Sequence, residues 1–369
     1  MSAPRLHVRL DRIRHNASTL VGRLARHGID VTGVTKATLG SPEVATAMLE
    51  AGVTRLGDSR IENIERLRGA GIEAPITLIR SPMPSQAARV VASADTSLNS
   101  DIQVIGALNN AAGSIGRCHG VVLMVELGDL REGLLPESVL DAARCTAELP
   151  NVRLVGLGAN LACQSGTLPS DSNMVVLSDL ASAVGPASGH HLVSGGNSAS
   201  IEWALTGATG RVNDLRLGES ILLGCEPSQR QPIDGLHLDA FTLTAEVIES
   251  SVKPTRPWGE QGETAFGPTV GACAVESPDA PQVIVALGRQ DVDMDGIVAP
   301  RGTTIRGASS DHMVLEVTGG EVPPVGSDLS FPVVGYAALL RAMTSPFVGR
   351  AFLDLDGCHS WPSRPRHRR

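Results

Sequence analysis

Of the 31 basic side chains in this chain of 369 residues, only two, Lys36 and Lys253, are lysines. Lys36 stands in Asp30-Val-Thr-Gly-Val-Thr-Lys-Ala-Thr-Leu-Gly-Ser-Pro-Glu43, a short apolar run that ends on the amine. It then turns through small residues and enters a helix at Pro42 behind a Ser41 cap. An amine can do what a guanidinium cannot. Desolvation lowers its pKa, and the neutral form can make a Schiff base with a carbonyl, whereas arginine stays charged. A sequence that has nearly discarded lysine, yet keeps one at the end of a predicted inner strand, points to that chemistry rather than to solubility.

Two glycine turns extend the set. Ser194-Gly-Gly-Asn-Ser-Ala199 combines glycines with hydroxyls and leads into a helix, a cradle suited to a phosphate on backbone N–H groups. Arg216-Leu-Gly-Glu-Ser220 supplies a second such turn beside an arginine. Either alone is only a turn. With the strand-end lysine they describe a cofactor that carries both an aldehyde and a phosphate, pyridoxal 5'-phosphate.

The elements that must position these residues recur with a βα rhythm. Strand-like runs fall near 31–35, 55–57, 76–79, 95–98, 121–126, 153–158, 191–194 and 214–217. Helical patterns lie between them, among them Pro42–Ala51, Ile61–Arg68, Ser85–Ala92, Asp101–Ala111, Pro136–Leu149 and Asp171–Val184. An Asp11-capped helix precedes them. Eight such strands are the arithmetic of a (β/α)8 TIM-type barrel. A doubly wound open sheet competes, but no GxGxxG follows the first strand. In a barrel the chemistry sits at the C-terminal ends of the strands, where Lys36, Arg131, Asn160, Asn197 and Arg216 fall.

Beyond about residue 235 the helical period fades. Phe241–Ile248, Thr269–Glu276, Val283–Leu287, Met313–Val317 and Asp328–Val334 read as strands, and Tyr336–Met343 as a short helix. The expected organisation is an N-terminal strand in 1–10 that joins the β domain, a barrel over 11–234, a mostly β domain over 235–360, and a basic tail over 361–369.

Bulk properties narrow the partners. A net charge of −8 argues against nucleic acid, whose phosphates require a basic surface. No run of 18 apolar residues occurs and the N-terminus lacks the apolar core of a signal peptide, so neither membrane insertion nor secretion is expected. Six cysteines, at 118, 145, 163, 225, 273 and 358, have no CxxC spacing; they fit reduced thiols in the cytoplasm, with no metal site.

Several stretches taken together resemble the fold-type III pyridoxal-phosphate enzymes of the alanine racemase superfamily, and within it the alanine/ornithine racemase-like branch. They are Gly33-Val-Thr-Lys-Ala37, Gly57-Asp-Ser-Arg-Ile-Glu-Asn63, Gly128-Asp-Leu-Arg-Glu-Gly133 and Gly156-Leu-Gly-Ala-Asn-Leu-Ala-Cys163 in the first part. Ser194-Gly-Gly-Asn-Ser198, Leu215-Arg-Leu-Gly-Glu219, Gly288-Arg-Gln-Asp291, Gly307-Ala-Ser-Ser-Asp-His312 and Gly335-Tyr-Ala-Ala-Leu-Leu340 follow in the family's order. The resemblance implies that Lys36 is the Schiff-base lysine and one of two catalytic bases. It implies that Ser198, with the backbone around Gly218 and Glu219, holds the phosphate, that Tyr336 reaches phosphate and substrate, and that Arg216 faces the pyridine nitrogen. Arg131 corresponds to an arginine near the cofactor's phenolic oxygen and the substrate carboxylate, and a homodimer with shared active sites is expected.

The departures matter too. Where the family places a catalytic tyrosine, this chain reads Gly288-Arg289, and a barrel histidine of the family is Asn160 here. Asp291, Asp311 and His312 are the nearby titratable candidates for the second base, of which His312 is favoured because its ordinary pKa is nearest neutrality. The expected activity is racemisation or epimerisation of a free amino acid, with ornithine or another basic amino acid favoured and alanine as another candidate. The alternatives are a lyase of this fold, whose His-x-Cys metal motif is replaced by Gly335-Tyr336-Ala337, and a non-catalytic pyridoxal-phosphate carrier.

Overall fold

The computed structural model describes residues 4–185, 192–257, 259–260, 262–266 and 278–354. Strand β1 (Arg5–Arg9) runs directly into helix α1 (Leu10–Ala25). Asp11, expected as the cap of that helix, lies instead in its first turn, where its carboxylate accepts from Arg9 Nε at 2.9 Å and Nη2 at 2.6 Å. The chain forms two compact units, one over Ile13–Leu238 and the other made of the residues up to Arg12 and those from Asp239 onward.

The first unit is a closed parallel barrel. Its strands are β2 (Asp30–Val34), β3 (Arg55–Asp58), β4 (Ile76–Leu78), β5 (Thr96–Asn99), β6 (His119–Val125), β7 (Val152–Ala159), β8 (Leu192–Ser194) and β9 (Asp214–Leu217), with β9 pairing back onto β2. All eight lie where the βα rhythm put them, and the (β/α)8 barrel holds. β6 is buried at every position, as a parallel strand covered on both faces must be. The connecting helices are α2 (Pro42–Glu50), α3 (Ile61–Gly69), α4 (Ala87–Ser93), α5 (Ile102–Ser114), α6 (Val139–Ala147), α7 (Asp171–Val184), α8 (Ile201–Thr206) and α9 (Glu219–Leu223).

Their ends follow from side chains that take up otherwise orphaned N–H groups. Ser41 accepts from Val44 N ahead of Pro42, and Ser170 and Asn173 form a reciprocal capping box on α7. Asp101, expected inside a helix, caps α5 by accepting from Gln103 N at 2.7 Å. The pattern beginning at Pro136 opens as a single 3-10 turn before α6.

The second unit is a mostly β domain, as expected. Its strands β10 (Phe241–Pro254), β11 (Asp279–Val285), β12 (Thr303–Ala308), β13 (Met313–Val317), β14 (Asp328–Pro332) and β15 (Gly349–Leu353) accompany helix α10 (Tyr336–Thr344). The order is β12-β13-β11-β10-β1-β15, with β14 also on β10; β1 pairs antiparallel with β10 and parallel with β15. β12 and β15, which the pattern did not reveal, are the ends of this order and bury no residue fully, so they carry little apolar signal. The expected strand Thr269–Glu276 and the tail 361–369 lie outside the described residues. Among the described residues no helix is long and apolar enough to cross a membrane.

Candidate active site

Lys36 opens a 3-10 turn, Lys36–Thr38, two residues past the end of β2 rather than on the strand itself. The turn closes tightly on the carbonyl of Thr35, which accepts from Thr38 N at 3.0 Å, Thr38 Oγ1 at 3.0 Å and Gly40 N at 3.2 Å. Leu39 leaves it in the left-handed region at φ 54. Thr35 is itself fastened to the neighbouring strand: its N–H donates to Gly57 O at 2.9 Å and its hydroxyl to Asp58 Oδ2 at 2.8 Å. Burial pushes the Lys36 amine below its ordinary pKa. The charges of Cys163 and Asp58 oppose that shift, and those of Arg131 and Arg216 reinforce it. The result is an amine that reaches its neutral, nucleophilic form more readily than a solvated lysine does.

Arg216 lies within β9 and is only 6% exposed. Its Nη1 donates to Ser194 Oγ at 2.6 Å, and its Nη2 to Ala159 O at 2.7 Å and to Asn160 Oδ1 at 3.4 Å. Asn160 follows the last residue of β7 and also accepts from Asn197 Nδ2 at 3.2 Å; that amide donates to Leu161 O at 2.7 Å and to Cys163 Sγ at 3.3 Å. Asn160 Nδ2 is buried with no acceptor among the described residues. A buried donor left in this condition costs free energy.

Asn197 caps the 3-10 turn Ser198–Ser200 through Ala199 N at 2.8 Å. The Ser198 hydroxyl meets Ser220 Oγ at 3.0 Å and accepts from Ser220 N at 3.2 Å, which ties the loop after β8 to the turn after β9. Gly218 caps α9, and a Cβ there would stand 3.1 Å from Val34 Cβ; Gly196 adopts φ 118. Gly196 thus holds a backbone conformation that favours glycine, and a side chain at Gly218 would be tight against β2. Glu219 points away from a cradle role in one respect, since its carboxylate pairs with Arg230.

Arg131 sits in the loop after β6, where its side chain pairs with Glu132, with Nη2 to Oε1 at 2.6 Å; that hydrogen bond raises the guanidinium's pKa. The loop is shaped by carboxylates that sequence reasoning overlooked. Glu126 accepts from the N–H groups of Gly128 at 2.5 Å, Leu130 at 3.1 Å and Arg131 at 3.3 Å. The buried Asp129 accepts from the N–H groups of Cys163, Gln164 and Ser165, between 3.0 and 3.2 Å, and so fastens the loop after β7 to the loop after β6. The barrel unit thus brings Lys36, Arg131, Asn160, Asn197, Ser198, Arg216, Gly218 and Glu219 to the C-terminal ends of its strands. Asp58, Asp129 and Asp214 were missed, although each stands inside or beside a motif already singled out.

The remaining expected residues belong to the β unit. Tyr336 is the first residue of α10, behind Gly335. His312 precedes β13, and its Nδ1 lies 2.8 Å from Asp311 Oδ1, both side chains being more than half exposed. That hydrogen bond holds the Asp311 carboxyl below its ordinary range. Asp291, also weighed as a base, is buried and committed locally, accepting from Gly288 N at 3.1 Å and Ser345 Oγ at 3.0 Å. Arg289 lies over the Phe266 ring at 5.2 Å and donates to Ala308 O at 3.1 Å. The chain's other lysine, Lys253, stands on β10 paired with Glu249.

Known proteins fit this arrangement. The family model described as alanine racemase, N-terminal domain, matches residues 8–227. A lysine racemase of Thermotoga maritima is 36% identical, with 95% of this chain and 99% of that protein covered. An ornithine racemase of Acetoanaerobium sticklandii is 32% identical over the same shares of the two chains. Among solved structures, an alanine racemase from Bartonella henselae with covalently bound pyridoxal phosphate shares the fold, with a TM-score of 0.73 and 16% identity over 96% of this chain and all of the other. By the family model and by full-length relatives alike, the chain belongs to the alanine racemase family.

Proposed function

We infer that this amino-acid racemase, an isomerase, takes a free basic amino acid of the lysine or ornithine kind and exchanges its α-proton between two bases, with pyridoxal 5'-phosphate held on Lys36. The observation that carries the reading is Lys36 itself. One of only two lysines stands in a clamped turn at the barrel's strand ends, its pKa pushed down by burial. The substrate class rests on the lysine and ornithine racemases, which match along nearly their whole length.

The residues present fit the cofactor. Lys36 offers the amine, Ser198 and the close-packed backbone at Gly218 and Glu219 offer a phosphate cradle, and the unpartnered Asn160 Nδ2 offers a buried donor. Bound there, the cofactor supplies an electron sink that makes the substrate's α-proton removable. Arg216 uses three of its five N–H bonds on protein acceptors, and one of those that remain, on Nε or Nη1, would face the ring nitrogen. Arg131 serves the substrate carboxylate and the cofactor's phenolic oxygen, and Tyr336 the phosphate. Lys36 exchanges a proton on one face of the α-carbon. His312 exchanges it on the other, with its Nδ1–H turned to Asp311 so that Nε2 is the free base.

The reading includes a homodimer with shared sites and a cytoplasmic location; Cys118, Cys145, Cys163 and Cys225 as free thiols fit a reducing compartment. Incubating L-lysine and L-ornithine in D2O, followed by chiral chromatography and mass spectrometry, tests the activity. Both enantiomers carrying deuterium at the α-carbon are expected. Release of carbon dioxide and the diamine from these substrates, or of glycine and an aldehyde from a β-hydroxy amino acid, in place of the enantiomer would move the protein to a lyase.

A further inference from the structure

Asp214, at the head of β9 and 1% exposed, is a buried carboxylate to which the reaction above gives no part. It stands two residues before Arg216, on the same side of the strand, and in register with Asp30 of β2 and Ser194 of β8. Both of its oxygens are taken by hydroxyls: Oδ1 accepts from Thr32 Oγ1 at 2.6 Å, and Oδ2 from Ser194 Oγ. Arg55 Nη1 lies 3.9 Å from Oδ1 and adds an outer ion pair.

The proton count fixes the direction of this chain. Ser194 has one hydroxyl hydrogen, and it is given to Asp214, so its oxygen can only accept from Arg216 Nη1, 2.6 Å away. A carboxylate bound directly to the guanidinium would occupy two N–H bonds in a fork and set a negative charge beside the ring. One hydroxyl between them leaves the countercharge buried in the barrel and consumes a single N–H. Burial works against the Arg216 charge, and Asp214 is the acidic side chain that opposes that effect most.

We propose that Asp214 is the positioning residue for Arg216, acting through the Ser194 hydroxyl to fix which N–H bonds the guanidinium turns toward the cofactor's pyridine nitrogen. The proposal rests on the cofactor reading given above, and its test separates the two. Wild type, Ser194→Ala, Ser194→Thr and Asp214→Asn are loaded with ring-15N pyridoxal 5'-phosphate, and the nitrogen shift is read by NMR alongside kcat, KM and a thermal melt. The wild-type nitrogen is expected unprotonated, and Ser194→Thr to preserve that shift. Ser194→Ala and Asp214→Asn should move the shift and lower kcat by about 10²-fold, the cost of a misplaced group remote from the chemistry, with KM little changed. If Asp214→Asn does not fold, the Ser194→Ala and Ser194→Thr pair decides, since threonine keeps the hydroxyl that alanine lacks. A folded Ser194→Ala protein with the wild-type shift and kcat overturns the relay while leaving the cofactor reading intact. Wild type that takes up no cofactor overturns both.

Discussion

Thr35 Oγ1 donates to Asp58 Oδ2 at 2.8 Å, with both residues fully buried, so the residue before Lys36 is locked to the end of β3. The same carboxylate accepts from Arg60 N at 3.0 Å and Asn63 Nδ2 at 2.9 Å. Burial nevertheless raises its pKa, and these hydrogen bonds pull it back. One acidic side chain therefore holds the lysine turn and the start of α3 together. Thr35→Val keeps the shape and removes the donor. It should cost about 1–3 kcal/mol, the penalty for a buried partner left unpaired, in a urea denaturation compared with wild type. An unchanged midpoint would mean that the turn is held by its backbone alone.

The two lysines give a sharp test of the cofactor's anchor. Borohydride treatment of the loaded protein should place the reduced adduct on Lys36, and Lys36→Ala should be colourless and inactive. Lys253 is half exposed and paired with Glu249, surroundings that leave it solvated. An adduct found there by peptide mass spectrometry would remove the basis for assigning the site to the barrel.

The fold was legible in the sequence because parallel inner strands are short continuous apolar runs, and each of the eight stood out between helical patterns. The placement of the candidate residues was legible where a rare residue type or a glycine turn follows a strand, as at Lys36 after β2 and Gly218 after β9. Asp58, Asp129 and Asp214 were harder to find because a carboxylate that accepts from backbone and hydroxyl groups looks, in one dimension, like any solvated acid. A signal was present nonetheless: Asp58 and Asp214 stand at the ends of predicted strands, where an unpartnered charge would be too costly to keep, and Asp129 follows Gly128 in a stretch already singled out. The edge strands β12 and β15 escaped for the opposite reason, since half-exposed strands need little apolar patterning.

Asp129 is a case where stability and activity should part. Asp129→Ala deprives the N–H groups of Cys163, Gln164 and Ser165 of their acceptor and should free the loop after β7. Limited proteolysis should then cut within 160–168 faster than in wild type, with kcat/KM reduced and the Lys36 adduct still formed. Equal cutting rates would show that the two loops are held by contacts other than this carboxylate.

His119, at the start of β6, sets a pH limit on the barrel. Its ring is buried, with Nε2 2.9 Å from Ser97 Oγ, and burial pushes its pKa down to about 4 from an ordinary 6.5. Below the ordinary value the unfolded chain takes up a proton that the folded chain refuses. The stability conferred by the neutral ring is therefore complete above pH 6.5 and is lost as pH falls toward 4, by about 3 kcal/mol at most. Denaturation free energies of wild type and His119→Gln, measured between pH 7 and pH 4, should converge as the solution is acidified. Parallel curves would assign the acid sensitivity to other groups.

The homodimer reading is tested most directly by complementation. If each site draws Lys36 from one chain and Tyr336 from its partner, a Lys36→Ala dimer and a Tyr336→Ala dimer each lack an intact site. Equal mixing of the two chains with subunit exchange gives mixed dimers in half of the population. Each mixed dimer carries one site with both side chains and one with neither, so about a quarter of wild-type activity should return. Separate expression followed by slow mixing, with the dimer population followed by native mass spectrometry, ties the recovered rate to exchange. No recovery despite demonstrated exchange would place both side chains of a site on the same chain, and full activity in a protein that sediments as a monomer would dispose of the shared site altogether.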